Sequence, residues 1–206
     1  MPARKLTLIT LVGAAALAGA QPAAPPSAMP ACASPEQTAA VSEFYGKMKA
    51  MLPLLATRTL KMPEAVIVSA LKSDQALGVD GKIQRGVGLG PYLGRRGVFV
   101  SKGGNQFEIN GSLPEGVQST SSNYFNLGPQ KAGITGHLRA DNIVSIYAIS
   151  LKQGKTQLRG LNFYDAKGDS RLSIFLPGEG APVSKETESA FEKSWVLLSG
   201  LPRVCK

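Results

Sequence analysis

The segment GITGHLRADN, residues 133–142, holds His137, the chain's only histidine, with Arg139 two residues on. An imidazole ligates metals and moves protons, and a guanidinium grips carboxylates through two parallel hydrogen bonds. In an extended segment residues i and i+2 share a face, so ring and guanidinium would meet one ligand together. Gly133 and Gly136 precede the ring and leave the backbone open to close approach. Spacing alone leaves the plain alternative standing, a packed or solvated histidine that binds nothing. The other reactive side chains are Cys32 and Cys205. Two cysteines and one histidine lack the spacing of a zinc site.

Other chemistries lack their residues. No G-x-S-x-G elbow is present to activate a serine. GVGLG, residues 86–90, has glycines at alternate positions, but the strand-helix-strand setting of a dinucleotide fingerprint is missing. No paired carboxylates stand out, and Asp165 and Asp169 are explained by the turn they flank. The expectation is a protein that is not an enzyme.

The amino terminus reads as a targeting segment. MPARKLTLITLVGAAALAGAQ carries Arg4 and Lys5, an apolar run and Ala18-Gly19-Ala20, the pattern of a secretory signal peptide over residues 1–20. The run is about 14 residues, short of the roughly 20 that span a bilayer. The expected location is therefore periplasmic or secreted. In an oxidising compartment Cys32 and Cys205 would pair as a disulfide that ties the two ends of the mature chain; the alternative is two free thiols on frayed tails. The net charge is +9, and Arg4 and Lys5 leave with the leader. The remaining basic residues are scattered, unlike the dense stripe of a nucleic-acid binder. They suit an anionic small molecule or surface, or simply solubility.

The elements that must position His137 come next. Residues 21–33, QPAAPPSAMPACA, read as an extended tether, and 34–206 as a single domain. Ser34, Pro35 and Gln37 make an N-cap, an N1 proline and a capping box. Val41, Phe44, Tyr45, Met48, Met51 and Leu52 follow on one helical face, up to Pro53. A short helix is expected from Pro63, with Val66, Ile67, Ala70 and Leu71 on its buried side. From Gly97 short β-rich runs alternate with turns: GVFVS, NQFEIN, NYFNL, GITGHL, NIVSIYAISL, TQLRGLNFY and SRLSIFL. That spacing predicts an antiparallel meander, with Gly168 taking the left-handed position of the DAKG turn. A last helix is expected from Ser184, with Ala190, Phe191, Trp195 and Leu198 inward, ending at Gly200 and Pro202.

Several blocks stand in the order and near the spacing of a known family. They are GSLPEG (111–116), NYFNLG (123–128), GITGHLRADN (133–142) and LNFYDAKGDSRLSIFL (161–176), with MPEAVIVSALKSDQALGV (62–79) as a helical lead-in. Over roughly residues 40–198 the chain resembles the ChuX/HutX family of bacterial haem-utilisation carriers. The resemblance implies an α+β fold of the HemS/ChuX kind: N-terminal helices, a large antiparallel β-sheet, a C-terminal helix, and assembly as a homodimer. It implies haem as the bound ligand and places the family's G-H-[IL]-[KR] histidine on His137 and its basic residue on Arg139. His137 would then be the axial ligand to iron. Arg139 and Lys102 would meet the propionates, and Tyr124 or Tyr147 is a candidate second ligand through oxygen. Three departures stand out. Ser101 occupies the place of a second family histidine, SIFLPGEG (173–180) lacks the family's lysine and arginine, and the family is chiefly cytosolic whereas this chain carries a leader.

The expected function is thus an exported haem-binding protein for haem uptake, carriage or storage, without catalysis. Its partners would be haem, a second copy of itself, and a haem transporter or other envelope protein, with no nucleic acid. The alternative is an envelope interaction protein that keeps the fold and has lost haem.

Overall fold

A computed structural model describes residues 29–48, 51–83, 95–102, 105–112, 116–128, 135–153, 155–176 and 183–205. The expected leader (1–20), Gly133 and the GVGLG run lie outside the described residues.

Three helices come first among the described residues. Helix α1 spans Pro35–Lys47, capped as its sequence predicts: Gln37 N–H donates to Ser34 Oγ, and Ser34 N–H donates to Gln37 Oε1 at 2.8 Å. It stops earlier than the apolar stripe suggests, at the extended cap residue Met48. Pro53 does not end it but opens α2, Pro53–Leu60, where its missing N–H costs nothing because the first turn has no acceptor to offer. Helix α3, Glu64–Ser69, buries Glu64, Ala65, Val66, Ile67 and Val68.

Nine strands form two antiparallel sheets among the described residues. Strands β1 (Ala76–Asp80), β2 (Arg95–Lys102), β3 (Asn105–Ser112), β7 (Ser145–Gln153), β8 (Thr156–Tyr164) and β9 (Ser170–Phe175) make a six-stranded sheet in the order β1-β7-β8-β9-β2-β3. Strands β4 (Gly116–Gln118), β5 (Tyr124–Leu127) and β6 (Gly136–Arg139) make a separate three-stranded sheet. The fold is α+β, as expected, and each quoted β-rich run contains a strand. The single large sheet of the sequence reading is divided in two, and β1 and β4 were not anticipated. The closing helix α4 spans Lys185–Ser199, with Ser184 as N-cap and Gly200 as C-cap.

Side-chain alternation along β7 and β8 sets the layers. Ile146, Ala148, Leu161 and Phe163 face one way, packing with Phe125 and Leu127 of the small sheet, Leu198 of α4 and the half-buried Leu138 and Trp195. Tyr147, Ile149, Leu151 and Tyr164 face the other way, against Ala65 and Val68 of α3. The six-stranded sheet thus lies between the N-terminal helices and a layer made of the small sheet and α4.

The β8–β9 turn is held by Asp165, whose Oδ1 accepts from the N–H groups of Lys167 and Asp169 at 2.9 and 3.0 Å. Gly168 takes φ +82° there. Residues 29–33 lie against the body of the protein. Ala33 N–H donates to Ser69 Oγ at 2.9 Å, and Cys32 is bonded to Cys205, with Cα atoms 5.2 Å apart across 173 residues of sequence. The C-terminal tail runs along the open edge of β1, where Val204 N–H donates to the Gly78 carbonyl at 3.1 Å.

Candidate functional site

Strands β5 and β6 pair with Tyr124 opposite Arg139, Phe125 opposite Leu138, and Asn126 opposite His137. Period-two alternation divides these six residues cleanly. Phe125 is buried and Leu138 half-buried in the core, so Tyr124, Asn126, His137 and Arg139 share the outer face. The apolar residues thereby fix which side the histidine presents, since a slip of one residue in register would send it inward.

On that face the His137 Nδ1 lies 2.7 Å from Asn126 Oδ1. An amide oxygen only accepts, so Nδ1 is the donor in this contact, and in the neutral ring the lone pair is then on Nε2. Among the described residues nothing hydrogen-bonds to Nε2. The Tyr124 ring meets the imidazole edge to face, centroids 6.2 Å apart. Ser122, Tyr124, Asn126 and His137 line an open hollow of about 520 Å³. A Cβ built on Gly136 would touch nothing within 4 Å, but by the same alternation it would point to the face opposite the ring. A second, polar hollow of about 400 Å³ runs along Gln118–Asn123 and shares Ser122.

Arg139 lies beside His137 but already has a partner. Its Nε donates to Asp141 Oδ1 at 3.1 Å and its Nη2 to Asp141 Oδ2 at 2.7 Å. The pair holds the Asp141 carboxyl below its ordinary range and the guanidinium above its own. Among the described residues Nη1 and the second Nη2 hydrogen have no partner and can grip another anion. Lys102, the third expected residue, ends β2 opposite Asn105 in the six-stranded sheet. It is described through its backbone alone, and that backbone lies on a different sheet from His137. Tyr147 is only 2% exposed and faces the helical layer, so it is removed as a ligand candidate. Tyr124 stays beside the ring.

Asn126 and Asp141 were missed from the sequence although both lie in quoted blocks, NYFNLG and GITGHLRADN. Asn126 becomes visible only when β5 and β6 are paired in register. Asp141, two residues past Arg139 in a short 3-10 turn, was legible as a nearby opposite charge.

Comparisons with known proteins agree on one group. The family model described as haem utilisation ChuX/HutX matches residues 91–193, half of the chain. The intracellular haem transport protein HutX of Vibrio cholerae is 25% identical over 137 residues, 66% of this chain and 70% of HutX. A crystal structure of ChuX superposes with a TM-score of 0.63 at 22% identity, covering 78% of this chain and 98% of ChuX. ChuS, an E. coli haem oxygenase, superposes at 0.56 with 14% identity, over 76% of this chain and 48% of ChuS; at that identity only the fold is shared. These findings correct one expectation. HutX is an intracellular protein, and that contradicts the periplasmic or secreted location read from residues 1–20.

Proposed function

The chain belongs to the haem-utilisation ChuX/HutX family, and from that footing we propose that it binds haem as cargo through His137 and passes it on chemically unchanged. The observation that carries this is the state of the ring. His137 is exposed on a sheet face and anchored at Nδ1 by Asn126, with Nε2 unengaged among the described residues. Axial ligation of haem iron needs a neutral imidazole nitrogen of that kind. Tyr124 and the open hollow that it lines with Ser122, Asn126 and His137 give a flat macrocycle an aromatic edge and room to approach. Arg139 supplies donors for a propionate while keeping Asp141. Lys102 is proposed as the second cationic group. Exclusion of water from the macrocycle drives binding, and the axial bond sets its orientation.

A carrier without chemistry needs only these groups. Assembly with a second copy, and delivery to a haem-handling partner, complete the reading. Edge strand β3 supports an assembly surface, since it exposes Phe107 and Ile109 on one face.

A second reading keeps the fold as a protein-interaction module without haem. Ser101, standing where the resemblance places a second histidine, favours it. Haemin titration of the purified protein, followed in the Soret region, separates the two. The expected result is a saturable shift that weakens in His137→Ala by more than the roughly 10- to 100-fold typical of losing an outer-shell partner, with the circular dichroism of the fold unchanged. No saturable shift selects the interaction module. Consumption of bound haem on adding a reductant would replace the carrier with an enzyme.

A further inference from the structure

We infer that Asn126 is a positioning residue for His137: its side-chain oxygen fixes the ring as the Nδ1–H tautomer, so that Nε2 is the nitrogen offered to iron. The inference rests on the haem reading above and goes beyond it by assigning a role to a residue on the neighbouring strand.

Three observations carry it. First, the two residues are direct cross-strand partners in the β5–β6 ladder, where Cβ atoms stand about 4.5–5.5 Å apart, so a short amide reaches the near nitrogen of the ring and not the far one. Second, the 2.7 Å contact joins Nδ1 to an atom that can only accept. A histidine in water favours the opposite tautomer, with the proton on Nε2 and the lone pair on the less accessible Nδ1. Asn126 reverses that preference. Third, the strands are held in register from below by Phe125 and Leu127 in the core, so the amide is carried on a rigid element. Metal-bound histidines generally donate their second nitrogen to such an acceptor, which fixes orientation and raises basicity.

Asn126→Asp keeps an acceptor in place and Asn126→Ala removes it. Because the chain has one histidine, nitrogen-15 NMR of the haem-free protein, held at a pH where the ring is neutral, reports its tautomer without ambiguity. The expected result is a protonated Nδ1 in the parent and in Asn126→Asp, and a shift toward protonated Nε2 in Asn126→Ala. Haemin affinity should fall about 10- to 100-fold in Asn126→Ala and be largely restored in Asn126→Asp. A parent ring already protonated on Nε2 overturns the inference with no haem present. A haemin affinity that depends on His137 but is the same in Asn126→Ala and the parent overturns the positioning role and leaves the carrier reading intact. Absence of haemin binding by the parent removes the carrier reading, whatever the tautomer, and the positioning role with it.

Discussion

Glu64 sits almost fully buried at the start of α3, where Asn162 Nδ2 and Tyr164 OH donate to its Oε1 at 3.0 and 3.1 Å. Its Oε2 has no hydrogen-bond partner among the described residues. Burial pushes the carboxyl up to about 7, against the two hydrogen bonds that favour its charged form and with help from the Asp169 charge. The folded state therefore holds this proton more tightly than the unfolded chain, whose carboxyl titrates near 4.5. The sign follows from linkage: the contribution is fully present below about pH 4.5 and is lost as pH rises through about 7. A rise of that size corresponds to about 3 kcal/mol. Denaturant melts at pH 4.5 and 7.5 should show stability falling across this window in the parent, with a much flatter profile in Glu64→Gln. Equal slopes in the two proteins would show that Glu64 is charged in the fold. The same scale explains why the site was half legible. His137 and Arg139 are singled out by type and spacing, whereas Asn126 is an ordinary residue until its cross-strand partner is known.

At the scale of elements, the β8–β9 turn shows how local sequence and tertiary packing coincide. Gly168 is needed twice: at φ +82° an L side chain is strained, and a Cβ would come within 2.9 Å of Pro63 Cβ and 3.2 Å of Ala31 Cβ. Gly168→Ala is expected to cost about 1–3 kcal/mol, measured as a lower denaturation midpoint. An unchanged midpoint would mean that the N-terminal segment does not pack over this turn. The turn was readable because DAKG states its own geometry. The end of α1 was not. An apolar stripe running through Met51 and Leu52 hides a break that only Pro53, at N1 of α2, reveals. Division of the sheet was equally hidden, because β5 and β6 alternate just as strands of the large sheet do. What separates them is where Phe125 and Leu127 land, on the core from the opposite side.

At the scale of the whole molecule, Cys32 and Cys205, near the two ends of the described residues, are brought together. The Cys32–Cys205 bond closes a loop of 173 residues and pins both terminal segments, one beside Ser69 of α3 and the other along β1. A cross-link this long restricts the unfolded chain, so Cys32→Ser with Cys205→Ser should lose about 2–5 kcal/mol. A double variant as stable as the parent would place the terminal segments outside the cooperative fold. The intracellular location of HutX bears on the same bond, since cytosolic thiols are kept reduced. Free-thiol titration of protein denatured directly from cells reads near zero per chain if the bond forms there, and two if it does not.

The claim at the centre is that one nitrogen of one side chain meets haem iron. With histidine alone carrying nitrogen-15, pulsed electron paramagnetic resonance of the ferric haem complex reads that contact directly, because the chain has a single histidine. The account predicts a nitrogen-15 hyperfine coupling from an axial ligand, absent in His137→Ala. A haem complex that shows no such coupling in the parent would contradict it.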